Sequence, residues 1–546
     1  MKGPVFNAML SARLTPRPER RLPARSLGVP LLVTAFLCIG YLIWAPTAPD
    51  LLAQVARAGV AARVGSVGWW TGWFGGLSLP SYSVLVPSWM ATVGVQVTGV
   101  AAVVASAVGG ALLMRDAPRP RAGAVAFAVA SIADLVAGRV TFAVGLAIGI
   151  WALVALRSRR QLLSVGLGAA AYLASPLAGL FLGLILLAVI SSDSARRRVA
   201  LISAAVLVLL GGTMAILFPG TGVMPISALD LIPPGAACAA VAVVCPAPVV
   251  RRSAVFALLA MPVVLLFPGA IGTNITRLAW VGAVPVVIGY AKLSRRWLAA
   301  VGVLVAIWPV ADLVEQLQTS VDPSTRAAFY QPLADAIHRA QATAGPEAIG
   351  ERVEAIDTTS HGASAYLAPS FALARGWDRQ ADRAYNALFY STKSLTADSY
   401  HAWLHELAVG WVALPRAPLD YSAAAEGALV RAGLPYLRAV WGSADWTLYE
   451  VTDAAPLARG AQVLSVADSS VTLATTQAAT AAVQIRWSPY LTVIDPGTER
   501  PDPTACIVND GGWIRVYLPG EGAFQLVSRF EIDARWRTDV GSCPAT

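Results

Sequence analysis

The chain has 546 residues, of which 56% are hydrophobic and only 13% charged, with a mean hydropathy of +0.61. Soluble domains carry about 25% charged residues, so these figures exclude a wholly soluble globule, a disordered chain, a coiled coil and a disulfide-rich miniprotein. The net charge of +9 joins two unlike parts: 24 Lys+Arg against 7 Asp+Glu up to Leu313, then 17 against 25 from Val314 onward. The basic balance comes from arginines in short loops between apolar runs, so it gives no argument for nucleic acid as a partner.

The first 27 residues are Arg- and Pro-rich and read as a disordered, basic cytoplasmic tail. Apolar runs follow at 28–46, 91–114, 122–137, 140–156, 161–175, 177–192, 199–217, 236–250, 253–268, 278–292 and 297–313. A helix needs about 20 apolar residues to cross a hydrocarbon core, and fewer when it packs against neighbours. The eleven runs therefore predict a polytopic α-helical membrane domain over 28–313, with its first outer loop at 47–90. Breaks at Gly138-Arg139, Ser175-Pro176 and Pro233-Pro234 carry the turn chemistry that separates close runs.

Loops on one side of this arrangement hold 20 Lys+Arg, whereas the opposite loops hold only Arg57, Arg63, Arg139 and Arg277. The positive-inside rule puts the 20-charge side in the cytoplasm. Eleven crossings from a cytoplasmic N-terminus leave the C-terminal region outside the cell membrane. The Arg- and Ala-rich composition, with lysine only at Lys2, Lys292 and Lys393, suggests a bacterial plasma membrane protein from a high-GC genome.

Residues 314–440 read as an exported α/β domain. Helical patterns lie near 324–343, 378–388, 397–408 and 421–433, and strands near 351–356, 410–414 and 436–441. From about 441 the texture becomes period-two alternation, as in WTLYEV, VQIRW and WIRVYL, which predicts an exported β-sandwich over 441–546. Cys506 and Cys543 are the two cysteines of the exported region, a disulfide candidate in an oxidising compartment.

Charges at the edge of a membrane domain are costly and point to function. Asp50 follows the first run, ahead of GWWTGWFGGLSLPSYSVLVPSW (68–89). Trp69, Trp70 and Trp73 offer flat faces for a sugar ring or lipid chain; an interfacial belt is the alternative, and a helix cap is the alternative for Asp50. Asp134 and Arg139 flank one outer turn, where they pair or where Arg139 faces an anion such as a lipid phosphate. Arg277, with Asn274 one turn before it, is a second outer arginine. Asp230 lies in another outer loop, as a second acid or a solvated loop charge. In the exported region His361 follows a strand. His401 and His405 stand i, i+4, but the HExxH order is absent, so no metal is assigned there.

This layout resembles the GT-C superfamily of integral-membrane glycosyltransferases, and more narrowly bacterial membrane proteins of the "pyruvoyl-tetrahydropterin synthase-related" and YfhO-like type. Asp50 with its Gly/Trp/Pro loop carries the resemblance, together with GRVTFAVGLAIG (138–149) and ASPLAGLFL (174–182). So do ARGWDRQADRAYNALFY (374–390), YHAWLHELAVGWVALP (400–415) and LDYSAAAEGALVRAGLPYLRAVW (419–441). It implies transfer of a sugar from a polyprenyl-phosphate donor to a glycan or lipid acceptor of the cell envelope on the outer face. Asp50 would be the general base, and Arg139 or Arg277 would stabilise the leaving phosphate. Many such enzymes carry two acids in the first outer loop, and here Asp50 stands alone before Ser88. No cofactor follows with certainty; a divalent cation is the one that the resemblance leaves open. Two other readings remain: a lipid or glycolipid transporter or flippase, and a non-catalytic envelope assembly protein.

Overall fold

The computed structural model describes residues 25–65, 68–220, 222–391, 394–531 and 539–541. The basic tail up to residue 24 and Cys543 lie outside the described residues. The described chain is mostly helical, with a strand-rich C-terminal region.

Each of the eleven apolar runs folds as a helix, and two further helices, Pro49–Val64 and Val86–Val93, stand between the first run and the second. In chain order these are α1 Arg25–Trp44, α2 Pro49–Val64, α3 Val86–Val93, α4 Val95–Leu113, α5 Pro120–Val136, α6 Val140–Arg157 and α7 Gln161–Ala174. They continue with α8 Pro176–Ser192, α9 Arg197–Leu217, α10 Ile232–Val244, α11 Pro248–Leu266, α12 Arg277–Tyr290 and α13 Arg295–Thr319. Five are long and apolar enough to cross a membrane: α4 (continued by a 3-10 turn to Asp116), α6, α9, α11 and α13. A sixth counts if α1 and α2, bent by 78°, are one broken span. Prolines start α2, α3, α5, α8, α10 and α11 in their first turn, where a missing N–H costs nothing. Large apolar side chains stand bare on the bundle's outside: Phe36, Ile43, Leu162, Val208 and Val243 are 75–90% exposed. A belt of that kind suits lipid and not water. Inside, helices approach through small residues; a Cβ on Gly123 of α5 would lie 2.9 Å from the Gly289 Cα of α12, the small-residue contact expected where no water drives packing.

The loop after α2 holds a two-stranded antiparallel pair, β1 Trp69–Trp70 and β2 Leu77–Ser78. The α/β unit is built on a four-stranded sheet in the order β3-β4-β6-β5, with β3 Arg352–Ala355, β4 Val409–Pro415, β5 Leu437–Gly442 and β6 Trp446–Val451. β3 runs parallel to β4 and the other pairs are antiparallel. Every residue of β4 is buried, as for a strand covered on both faces. Helices α14 Ala327–Ala344, α15 Ala363–Tyr366, α16 Arg379–Tyr385, α17 Ala397–Glu406 and α18 Ala424–Ala432 complete this unit.

The sandwich has a five-stranded and a four-stranded sheet, from β7 Ala458–Arg459 to β15 Asp539–Gly541. The expected boundary at 441 is therefore corrected. β6 belongs to the α/β sheet, and the sandwich starts at β7. Alternation in WTLYEV marks a half-buried strand but not the sheet that it joins. Cys506 is buried in β12 Cys506–Asp510, with Gly541 of β15 opposite it.

Candidate functional site

Asp50 is the second residue of α2. Ala48 is the N-cap, so the helix-cap alternative does not hold for Asp50; its carboxylate lies in the first turn, where the helix dipole favours a negative charge. Gly138, at φ 81°, ends α5 against this turn, and a Cβ there would lie 2.2 Å from the Leu51 backbone N. This close approach brings Arg139 to Asp50. Its Nε is 3.7 Å from Asp50 Oδ2, its Nη1 3.6 Å from Asp134 Oδ1 and its Nη2 3.0 Å from Asp312 Oδ2. Arg277, the first residue of α12, places Nη2 3.4 Å from the same Asp50 oxygen. Asp50, Asp134, Arg139 and Arg277 thus form one cluster, joined by Asp312 of α13.

The cluster is graded in exposure. The Asp134 side chain is 1% exposed and Arg139 11%, whereas Arg277 is 20%, Asp312 25% and Asp50 33%. Arg139 is enclosed by three carboxylates. Arg277 meets one, and among the described residues its guanidinium makes no other hydrogen bond. One turn along α2, Gln54 donates to the Tyr82 hydroxyl (3.0 Å) and accepts from Thr141 (3.1 Å). Arg57 lies 3.7 Å over the Tyr82 ring and pairs with Asp378 at 3.0 Å. The i, i+4, i+7 spacing of Asp50, Gln54 and Arg57 puts all three on one face of α2.

Arg277 also lines a cavity of about 570 Å³ among α4, α5, α6, α8, α10, α11 and α12. Its wall is chiefly apolar, including Phe142, Leu146, Ile150, Val241 and Val281. It follows α6 from Phe142 to Arg157, about 22 Å of helix at 1.5 Å per residue. At the far end Arg157 pairs with Asp116, and Arg196 with Asp193.

The tryptophans stand elsewhere than expected. Trp69, Trp70 and Trp73 are 4%, 1% and 0% exposed, so they are neither open sugar platforms nor an interfacial belt. Trp69 enters the sandwich core, and Trp70 and Trp73 that of the α/β unit. Glycines do permit close approach, but to these rings: a Cβ on Gly76, Gly72 or Gly376 would meet Trp69, Trp70 or Trp73 within 2.1–2.3 Å. Asp230 is exposed, and its hydrogen bonds are to Ser227 within its own loop. That local role matches the loop-charge reading of Asp230. Asn274 lies half-buried in the 3-10 turn before Arg277.

His361 belongs to a separate network in the α/β unit. Its φ is 56°, its ring stacks at 3.5 Å on Trp377, and its Nδ1 meets Asp357 at 2.5 Å. Arg379 grips Asp420 through two bonds of 2.9 Å, and His361 Nε2 is 3.7 Å from Asp420. Burial alone would raise the Asp420 carboxyl; the Arg379 hydrogen bonds, His361 and Ser422 outweigh it and hold the group well below the usual range. Beneath lies a buried set in which Arg375 binds Asp382 (3.0 and 2.7 Å) and Glu426 (3.3 Å). Burial, joined by their mutual repulsion for Glu354, pushes the Glu354 and Glu426 carboxyls up. The network reaches the membrane site through Trp377, whose Nε1 donates to Pro49 O at 3.1 Å.

Sequence reasoning missed Asp312, Gln54, Tyr82 and Thr141. Asp312 carried a usable signal, being one of seven acids in the membrane half. The other three are neutral and carried none. A scan of protein-family models finds no match, and a search of curated proteins finds no match either.

Proposed function

We propose that the chain is a membrane glycosyltransferase of GT-C type, transferring a sugar from a polyprenyl-phosphate donor to a glycan or lipid acceptor on the outer face of a bacterial plasma membrane. In this reading all eleven apolar helices belong to the membrane domain, and both C-terminal units are exported. One observation carries the reading: a carboxylate one-third exposed, Asp50, touches an arginine that also lines a long apolar cavity. Pockets of a few hundred Å³ are of ligand-binding size. A prenyl chain in the cavity would bring its phosphate to Arg277.

The chemistry follows from the grading of the cluster. Arg139, held by three carboxylates, is the positioning cation. Arg277, held by one, is the cation available to the donor phosphate. Its move to the phosphate would release the Asp50 carboxylate to take the acceptor hydroxyl proton. The acceptor oxygen then bonds to the anomeric carbon, the bond from that carbon to the phosphate oxygen breaks, and the phosphate leaves against Arg277. Asp134 and Asp312 hold Arg139 in place. The network at His361 abuts the same outer turn and suits a role in shaping the acceptor side.

The test is transfer of radiolabelled sugar from polyprenyl-phosphate donors, in membranes at matched expression. Asp50→Asn is expected to lower transfer by about 10²–10⁴-fold, the usual worth of a general base. Arg277→Lys is expected to retain more activity than Arg277→Ala. Equal transfer by wild type and Asp50→Asn would remove Asp50 from the chemistry. A second reading, a lipid flippase, draws on the ion pairs at the far end of the cavity. It predicts donor-lipid translocation that persists in Asp50→Asn without any sugar transfer.

A further inference from the structure

We infer that His401, His405 and Asp453 form a binding site for a borderline divalent transition cation, with zinc as its probe. The inference is independent of the membrane site. α17 carries both histidines, and a reciprocal capping box between Thr396 and Ser399 fixes its start. The i, i+4 spacing sets both rings on one face, with ring centres 4.3 Å apart. Asp453 comes from the turn after β6, which Thr452 N ties to Tyr436 O at 3.0 Å.

The three ligand atoms lie within 4.8 Å of one another. His401 Nε2 is 3.0 Å from the Asp453 carboxylate, and His405 Nε2 is 3.5 Å from Asp453 Oδ1. A tetrahedral ion with bonds of about 2.0–2.1 Å separates its ligands by about 3.3–3.4 Å. The arrangement needs little adjustment to hold one.

Hydrogen bonding leaves part of it unexplained. His405 Nε2 is buried and makes no hydrogen bond among the described residues, although the side chain as a whole is one-third exposed. The nitrogen's 3.5 Å separation from Asp453 Oδ1 is close to the distance between two ligands of one tetrahedral ion. His401 is further oriented by stacking on Tyr436, at 4.1 Å and 20°, and the Tyr436 hydroxyl donates to Ala397 O at 2.6 Å. Two imidazoles and one carboxylate favour zinc, copper or nickel over calcium or magnesium. The partial exposure leaves a fourth position for water. A bound ion would clip α17 to the end of β6. The third ligand stands 48 residues beyond His405 in the chain, which is why the histidine spacing alone did not reveal the set.

The test uses untagged, full-length protein in detergent micelles. Zinc titration against a metal-buffered competitor is expected to show a site absent from His405→Gln. Asp453→Asn should bind at least tenfold more weakly, and His338→Gln should bind as the wild type does. Equal zinc affinity in wild type and His405→Gln would overturn the site. Cobalt added to the wild type gives a reading that does not depend on a variant folding. Visible bands of four-coordinate cobalt without a thiolate charge-transfer band support it; six-coordinate aqueous cobalt alone overturns it.

Discussion

At the scale of single residues, Gly138 decides more than any charged group does alone. Its φ of 81° and its approach to the Leu51 backbone leave no room for a side chain, and positive φ favours glycine. Gly138→Ala must push the α5–α6 turn away from α2, and Arg139 moves with it. Misplacement by about 1 Å can cost roughly 10²-fold in rate. Sugar transfer by Gly138→Ala is therefore expected to fall about that far, with Asp50, Arg139 and Arg277 all intact. A rate equal to wild type would show that the cluster does not depend on this turn. The same position shows what a sequence can reveal. Asp50, Asp134, Arg139 and Arg277 stood out as rare charges beside apolar runs. Their convergence on one site depends on three helix ends meeting, which no local pattern encodes.

At the scale of elements, the loop after α2 is a joint between units. Leu373 N donates to Gly72 O at 2.8 Å, Thr71 N to Asp468 O at 2.8 Å and Arg486 N to Gly75 O at 2.9 Å. Its tryptophans look like ligand platforms in the sequence because exposure is not a local property. Apart from the short α15, helices and strands of the α/β unit are legible to within a few residues, since periodicity reports burial on one face. Which sheet received β6 was not, because pairing partners lie far apart in the chain. Three elements of that unit meet at Asp420: the turn after β3, α16 and the segment before α18. The sign of its pH effect follows from its depressed carboxyl. Such a group adds stability above its ordinary unfolded value and loses it as pH falls through the folded value. Asp420→Asn is expected to cost about 2 kcal/mol near neutrality, the worth of a charge-assisted hydrogen bond. The difference from wild type should shrink as pH drops below about 4. Melting of both proteins followed by tryptophan fluorescence across that range checks this; a difference that is constant with pH would refute it.

At the scale of the whole molecule, the sidedness of the membrane domain and of the C-terminal units is one question. Trp377 binds Pro49 O, and Arg57 pairs with Asp378, so the α/β unit sits on the face of the bundle that holds Asp50. On the reading proposed above, the charge bias turns that face outward. Two substitutions at exposed positions test it: Thr476→Cys just beyond β9 Ser470–Thr475 and Ser158→Cys in the turn between α6 and α7. Native Cys38, Cys238, Cys245 and Cys506 are buried, and labelling is read as the increment over the parent chain, which also carries Cys543. A membrane-impermeant maleimide applied to intact, outer-layer-stripped cells is expected to label Thr476→Cys fully and Ser158→Cys only after permeabilisation. The reverse pattern would turn the cluster, the cavity mouth and both C-terminal units to the cytoplasm together. A polyprenyl-phosphate donor on the outer leaflet could not then reach Arg277, and the proposed reaction would fail on geometry before any assay of its chemistry.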